Sequence, residues 1–143
     1  MTAESSRPPR PAHAQPALVA LVVLGGAVGT AGRYGLALAV PTVAGWPLAT
    51  LTANVVGAFC LGLLLEALVR RGPETTGLRR VRLGVGTGAL GGFTTFSSLA
   101  FEIERLLAGG DVATALGYAA ATLVLGALAC TGGVVLAARG ARA

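Results

Sequence analysis

The fold class predicted for this chain is an all-α membrane protein of four transmembrane helices, with a break in the third. Three observations predict it. Of its 143 residues, 54% are hydrophobic and 12% charged, and the mean hydropathy is +0.75; soluble domains carry roughly 25% charged residues. Four apolar stretches, at about residues 17–40, 46–69, 81–107 and 112–138, are each long enough to cross about 30 Å of hydrocarbon at about 1.5 Å per residue. The third stretch contains Gly91-Gly92-Phe93-Thr94-Thr95-Phe96-Ser97-Ser98. Adjacent glycines followed by hydroxyl residues oppose a continuous helix, because glycine costs about 1 kcal/mol relative to alanine. Backbone groups freed in hydrocarbon are tolerated only where they meet protein, water or an ion. A mid-membrane break with free carbonyls and hydroxyls is how transporters and channels build ion sites, although a small-residue packing seam is the plainer alternative. The domain organisation follows: an N-terminal tail over 1–16, a transmembrane domain over 17–138 and a C-terminal tail over 139–143. No room remains for a soluble catalytic domain, and four helices enclose little pore, so transport requires at least two associated chains.

The tail, rich in Pro, Ser and Arg, is expected to be disordered. With the apolar stretch behind it, it resembles a signal peptide, but that stretch runs past Arg33 to Val40, too long for a signal core. The first span carries Gly25, Gly26 and Gly29, a pattern for close helix approach. Its Arg33 is an ionisable residue inside a span, functional by default unless it snorkels to the interface. Trp46 is placed as an interfacial anchor. In the second span Thr50 and Asn54 lie four residues apart and share a helix face with Gly57. Such a face is a polar track, or in the plainer case an Asn that glues helices together. The third span opens with Gly84, Gly86 and Gly88. Gly86-x-Gly88-x-x-Gly91 matches a dinucleotide fingerprint, but no strand or βαβ unit surrounds it; Gly84, Gly88 and Gly92 are better placed as a packing stripe. The last span holds Tyr118 and Thr122 on one face. Glu102 and Glu104 are expected to be solvated charges at a helix end, and no catalytic constellation appears, so no enzyme is expected.

All eleven basic residues are arginines and the net charge is +5. In a soluble protein that would point to nucleic acid; in membrane-flanking loops it sets topology instead. Four spans put both tails and the 70–82 linker on one side, with Arg7, Arg10, Arg70, Arg71, Arg79, Arg80, Arg82, Arg139 and Arg142, against Arg105 on the other. Both termini are therefore expected in the cytoplasm. Cys60 and Cys130 fall within spans and are expected to act as small apolar residues.

Three motifs in order, Gly32-Arg33-Tyr34, Thr50-Leu-x-x-Asn54-x-x-Gly57 and Gly91-Gly-Phe-Thr-Thr-Phe-Ser97, closely resemble the bacterial fluoride channel family called CrcB or Fluc. The resemblance covers all four spans. It implies a fluoride-selective channel of the bacterial cell membrane, giving passive efflux that reduces cytoplasmic fluoride toxicity. It also implies an antiparallel, dual-topology dimer with a structural, untransported Na⁺ at its centre. The Na⁺ ligands carried over are main-chain oxygens of Gly91 and Thr94; the pathway residues are Asn54, Phe96, Thr95, Ser98, Thr50 and Tyr118, with Arg33 near the vestibule. The chemistry suits a small hydrated anion, since amide and hydroxyl groups donate hydrogen bonds and an aromatic edge is the positive part of the ring quadrupole.

One departure stands out: where the family has a second phenylalanine, this chain has Leu99. With the arginine bias, this raises an alternative, a non-conducting or obligate subunit of a heterodimeric fluoride channel paired with a homologue of opposite orientation. A small multidrug-type transporter is a further alternative, but it would be expected to carry a carboxylate in its first span, and none lies between Ala17 and Val40.

Overall fold

A computed structural model describes residues 15–140; the expected N-terminal tail lies outside them except for Gln15 and Pro16. Three helices are long and apolar enough to cross a membrane: α1 (Pro16–Ala39), α2 (Leu48–Val69) and α6 (Val112–Gly140). The stretch expected as the third span is divided. It runs through α3 (Thr76–Val81), a π-helical segment (Arg82–Leu90), α4 (Gly91–Phe93) and α5 (Phe96–Ala108).

Local chemistry accounts for the helix ends. Pro16 opens α1, where a missing N–H costs nothing, and Pro41 pushes Val40 into extended geometry (φ −108°, ψ 111°) that ends it. Thr75 Oγ1 accepts the Leu78 N–H to cap α3, and Asp111 Oδ1 accepts the Thr114 N–H at the start of α6. Between α1 and α2 a tight turn pairs Val43 with Trp46 through Ala44 (φ 49°) and Gly45 (φ 82°).

The break departs from expectation in its place. Gly91 and Gly92 are helical, and the chain leaves helical geometry at Thr94 (ψ 154°) and Thr95 (φ −151°, ψ 123°). The glycines serve packing. A Cβ on Gly92 would collide with the backbone of Gly26, one on Gly29 with the Ala89 carbonyl, and one on Gly88 would lie 2.8 Å from the Val22 carbonyl oxygen. The stripe Gly84, Gly88 and Gly92 therefore brings the π-helical segment and α4 into backbone contact with α1. Across the bundle, α2 lies against α6 in the same manner. Gly62 meets the Cys130 carbonyl, and Gly133 meets that of Phe59; both cysteines are free thiols.

Backbone-to-backbone packing leaves a small core of Leu18, Ala53, Leu68, Leu99, Ala115 and Tyr118. The outside is apolar instead: Val28 is 70% and Leu38 72% exposed. A surface of this kind belongs against lipid or another protein chain. The helix ends gather the charge. Arg79 and Arg80 share a cavity with Gln15 and Leu18 at the start of α1, and Arg70 and Arg71 share one with Ala137 and Gly140 at the end of α6. At the opposite end, Gly45 approaches Asp111 and Thr114.

Because the α1 contact is backbone to backbone, Gly29→Leu should destabilise the protein by at least about 1–3 kcal/mol, the cost of overpacking. Gly35, with nothing within 4 Å of an added Cβ, should accept alanine neutrally or with a small gain. Thermal unfolding of the two variants in one detergent checks the contrast.

Candidate functional site

The site is built around the break. Asn54, from the second turn of α2, meets Thr95 with both ends of its amide: Oδ1 accepts the Thr95 N–H at 2.8 Å, and Nδ2 donates to the Thr95 carbonyl at 3.1 Å. Thr95 Oγ1 in turn accepts the Ser98 N–H at 3.2 Å, capping α5, and lies 3.2 Å from the hydroxyls of both Ser97 and Ser98. These bonds have a consequence for the backbone. In an unbroken helix the N–H of residue i bonds the carbonyl of residue i−4, so Thr95 N–H would serve Gly91 and Ser98 N–H would serve Thr94. Side chains take both donors. The break takes the ladder donor from the carbonyls of Gly91, Gly92, Phe93 and Thr94, and two of those donors, the N–H groups of Thr95 and Ser98, go to side chains.

The Gly92 carbonyl is served differently. Arg33 Nε donates to it at 3.3 Å and Thr30 Oγ1 at 3.4 Å, both from α1. Arg33 is half-buried and reaches the break directly instead of snorkelling away from it. A charged donor on a main-chain oxygen is worth more than a neutral one, so Arg33 fastens the break to α1.

The second cluster corrects an expectation. Glu102 is not a solvated charge. It is half-buried, with Oε1 accepting the Thr50 hydroxyl at 2.7 Å and Oε2 accepting the Tyr118 hydroxyl at 2.6 Å. The helical face of α5 turns it inward, between α2 and α6. Tyr118 is fully buried, with the Trp46 ring edge-on to it at a centroid distance of 6.2 Å and an interplanar angle of 85°. Trp46, half-buried in the linker before α2, packs its ring against α6 at Tyr118 and Gly117. Thr122, one turn after Tyr118, bonds back to the Tyr118 carbonyl at 2.9 Å.

An open cleft of about 430 Å³ joins the break to α6. Asn54, Gly57, Gly91, Thr94, Thr95, Phe96, Leu99 and Thr122 line it. Phe96 stands 80% exposed at its edge while Leu99 is buried in its wall. The structure therefore brings Asn54, Thr95, Phe96 and Ser98 together at the break and Thr50 with Tyr118 one step away. Arg33 approaches from α1.

The family model described as CrcB-like protein, Camphor Resistance (CrcB), matches residues 20–134, which include both clusters. The chain belongs to the CrcB family. It is 46% identical over 134 residues to the fluoride-specific ion channel FluC 2 of Leifsonia xyli subsp. xyli, covering 94% of this chain and 92% of that protein. It is 47% identical over 123 residues to the fluoride-specific ion channel FluC of Deinococcus radiodurans, covering 82% and 93%. The FluC of Paracoccus denitrificans is 41% identical over 116 residues, covering 80% and 90%. Its three apolar helices and these channel relatives make this CrcB chain a multi-pass membrane protein.

Within this CrcB chain two site residues escape a reading of the sequence. Glu102 sits in the middle of α5 with Glu104 and Arg105 close by, which masks its inward face. The available signal is its spacing from Leu99 and Ile103, positions that turn inward on an amphipathic α5. Trp46 lies in a linker, where no periodicity shows its direction. Glu102→Leu should leave the Thr50 and Tyr118 hydroxyls without their acceptor at a cost of about 1–3 kcal/mol each. Glu102→Gln keeps an acceptor and should lose less, and thermal unfolding of the pair measures the difference.

Proposed function

We propose that this CrcB chain is a subunit of a fluoride-selective channel that lets fluoride leave the bacterial cell passively. The observation that carries it is the clamped break: the Asn54 amide and the Thr95 hydroxyl, the latter bonded to Ser98, gather beside Phe96 in a cleft that opens on the apolar outside of the chain. Relatives named fluoride-specific ion channels support the choice of ion. An anion in the cleft replaces its water with these donors and with the ring edge of Phe96. The Thr50 and Tyr118 hydroxyls extend the donor track, and there an anion has to displace the Glu102 carboxylate as acceptor. A negative-inside potential favours anion exit by about 2.3 kcal/mol per 100 mV. The cleft becomes a pathway when a second chain, inserted the opposite way, closes it.

The donor set also fits a structural Na⁺. Its ligands would be the main-chain oxygens of Gly91 and Thr94, two of the four carbonyls that lose their ladder donors at the break; the ion would supply fixed positive charge near the anion path. Thr30 and Arg33 hold the neighbouring Gly92 carbonyl, which leaves it outside this set.

A second arrangement is favoured by two observations. Arg70, Arg71, Arg79, Arg80 and Arg139 lie at one end of the bundle and Arg105 at the other, a bias that sets one orientation. Leu99 sits in the cleft wall with no polarised ring edge. The partner is then a homologous subunit of opposite orientation that supplies the missing phenylalanine, and both termini of this chain are cytoplasmic.

In liposomes read with a fluoride electrode, Phe96→Ile should reduce efflux to that of protein-free vesicles with the protein still assembled; wild-type rates in this variant would rule out the edge-on role. Gly91→Leu should impair flux more than Thr94→Ser, and complete exchange of Na⁺ for N-methylglucamine should lower activity or stability. A C-terminal topology reporter should place that terminus in the cytoplasm only. Equal populations in both orientations, or full flux from this chain alone, would restore the homodimer.

A further inference from the structure

We propose that the cleft between the first turn of α1 and α3 binds an anionic glycerophospholipid, with Arg79 and Arg80 holding its phosphate and Leu18 and Leu21 receiving the upper part of an acyl chain. The cleft encloses about 360 Å³, and its lining is divided by chemistry: Arg79, Arg80 and Thr76 come from α3, Leu18, Leu21 and Gln15 from the start of α1.

Arg79 and Arg80 are among the arginines at this end that no described carboxylate neutralises. Arg70 bonds Glu66 at 2.6 Å and Arg82 bonds Glu74 at 2.7 Å. Those two carboxylates are the acidic side chains at this end among the described residues, since Glu102, Glu104 and Asp111 belong to α5 and the start of α6. Arg79 and Arg80 therefore face the cleft with no carboxylate to neutralise them. A guanidinium binds phosphate through two parallel hydrogen bonds, and basic pockets at the ends of membrane helices are suited to anionic headgroups.

The opposite wall decides in favour of lipid. Leu18 is buried and Leu21 half-buried, and along the same helix Val19 and Val23 are 44% and 62% exposed. The pocket thus lies at the start of a helix long and apolar enough to span, whose adjacent face is exposed. A soluble phosphate has no use for that wall, and a nucleic acid cannot follow it into hydrocarbon. The chain's own first fourteen residues are a poor occupant, because they set Arg7 and Arg10 against the single carboxylate of Glu4 and carry the same sign as the pocket. This inference is independent of the ion conducted.

The test uses the full-length purified protein in mixed micelles with equal amounts of phosphatidylglycerol and phosphatidylcholine, and native mass spectrometry counts the lipid retained. Phosphatidylglycerol should be retained in preference. Arg79→Gln and Arg80→Gln should each lower its retention about fivefold, while Arg105→Gln at the other end should leave it unchanged. Equal retention of both lipids by the unaltered protein overturns the proposal, as does undiminished retention in the Arg79→Gln/Arg80→Gln double variant. Should the variants fail to fold, a phosphatidylglycerol with a diazirine high on its acyl chain decides the matter on the unaltered protein. Crosslinks at the peptide bearing Leu18 and Leu21 support the site, and crosslinks confined to other helices refute it. Displacement of the lipid by an equal concentration of glycerol phosphate would refute the contribution of the leucine wall.

Discussion

The interaction on which the rest of the structure depends is the two-point bond between the Asn54 amide and the backbone of Thr95. A chain cannot leave helical geometry inside hydrocarbon unless its freed N–H and C=O groups are met. Asn54 meets both groups of the one residue at the centre of the break. With Thr95 held, its hydroxyl caps α5, and the direction of α5 is set. That direction carries Phe96 outward, Leu99 into the cleft wall and Glu102 between α2 and α6. Gly57 completes the arrangement, because a Cβ there would collide with the Thr94 side chain.

Around this clamp the fold relies on close backbone approach more than on a filled core. In lipid there is little hydrophobic drive between helices, and small residues let dispersion contacts accumulate instead. The α1 glycines meet the glycine stripe of the π-helical segment, and Gly62 and Gly133 do the same for α2 and α6. Tyr118 is the largest side chain fully buried. Its burial is tolerable because its hydroxyl reaches Glu102, and the carboxylate in turn takes the Thr50 hydroxyl.

The polar groups fall into layers along the bundle. Unpaired arginines gather at one end, the clamped break lies in the middle, and the Thr50–Glu102–Tyr118 cluster stands toward the other end under Trp46. The middle layer holds hydrogen-bond donors and the next a carboxylate. On the proposed reading, the arginines at the first end both set orientation and hold lipid.

The sequence by itself determined the membrane class, the helices α1, α2 and α6 and the interruption near residues 91–98. Hydropathy and length depend only on local composition, and glycine next to hydroxyl residues weakens a helix wherever it occurs. The Thr50–Asn54–Gly57 face was legible for the same reason, since a four-residue spacing places side chains together on any helix. Tertiary structure alone decided where the break falls. Helix propensity favours a break at Gly91-Gly92, but α1 packs against Gly92 and the helix runs on through Phe93, and Asn54 captures the next free N–H, that of Thr95. It also decided the fate of Glu102. A carboxylate near a helix end is solvated by default, and only the arrival of Thr50 from α2 and Tyr118 from α6, residues 52 and 16 positions away, supplies the donors that let it turn inward.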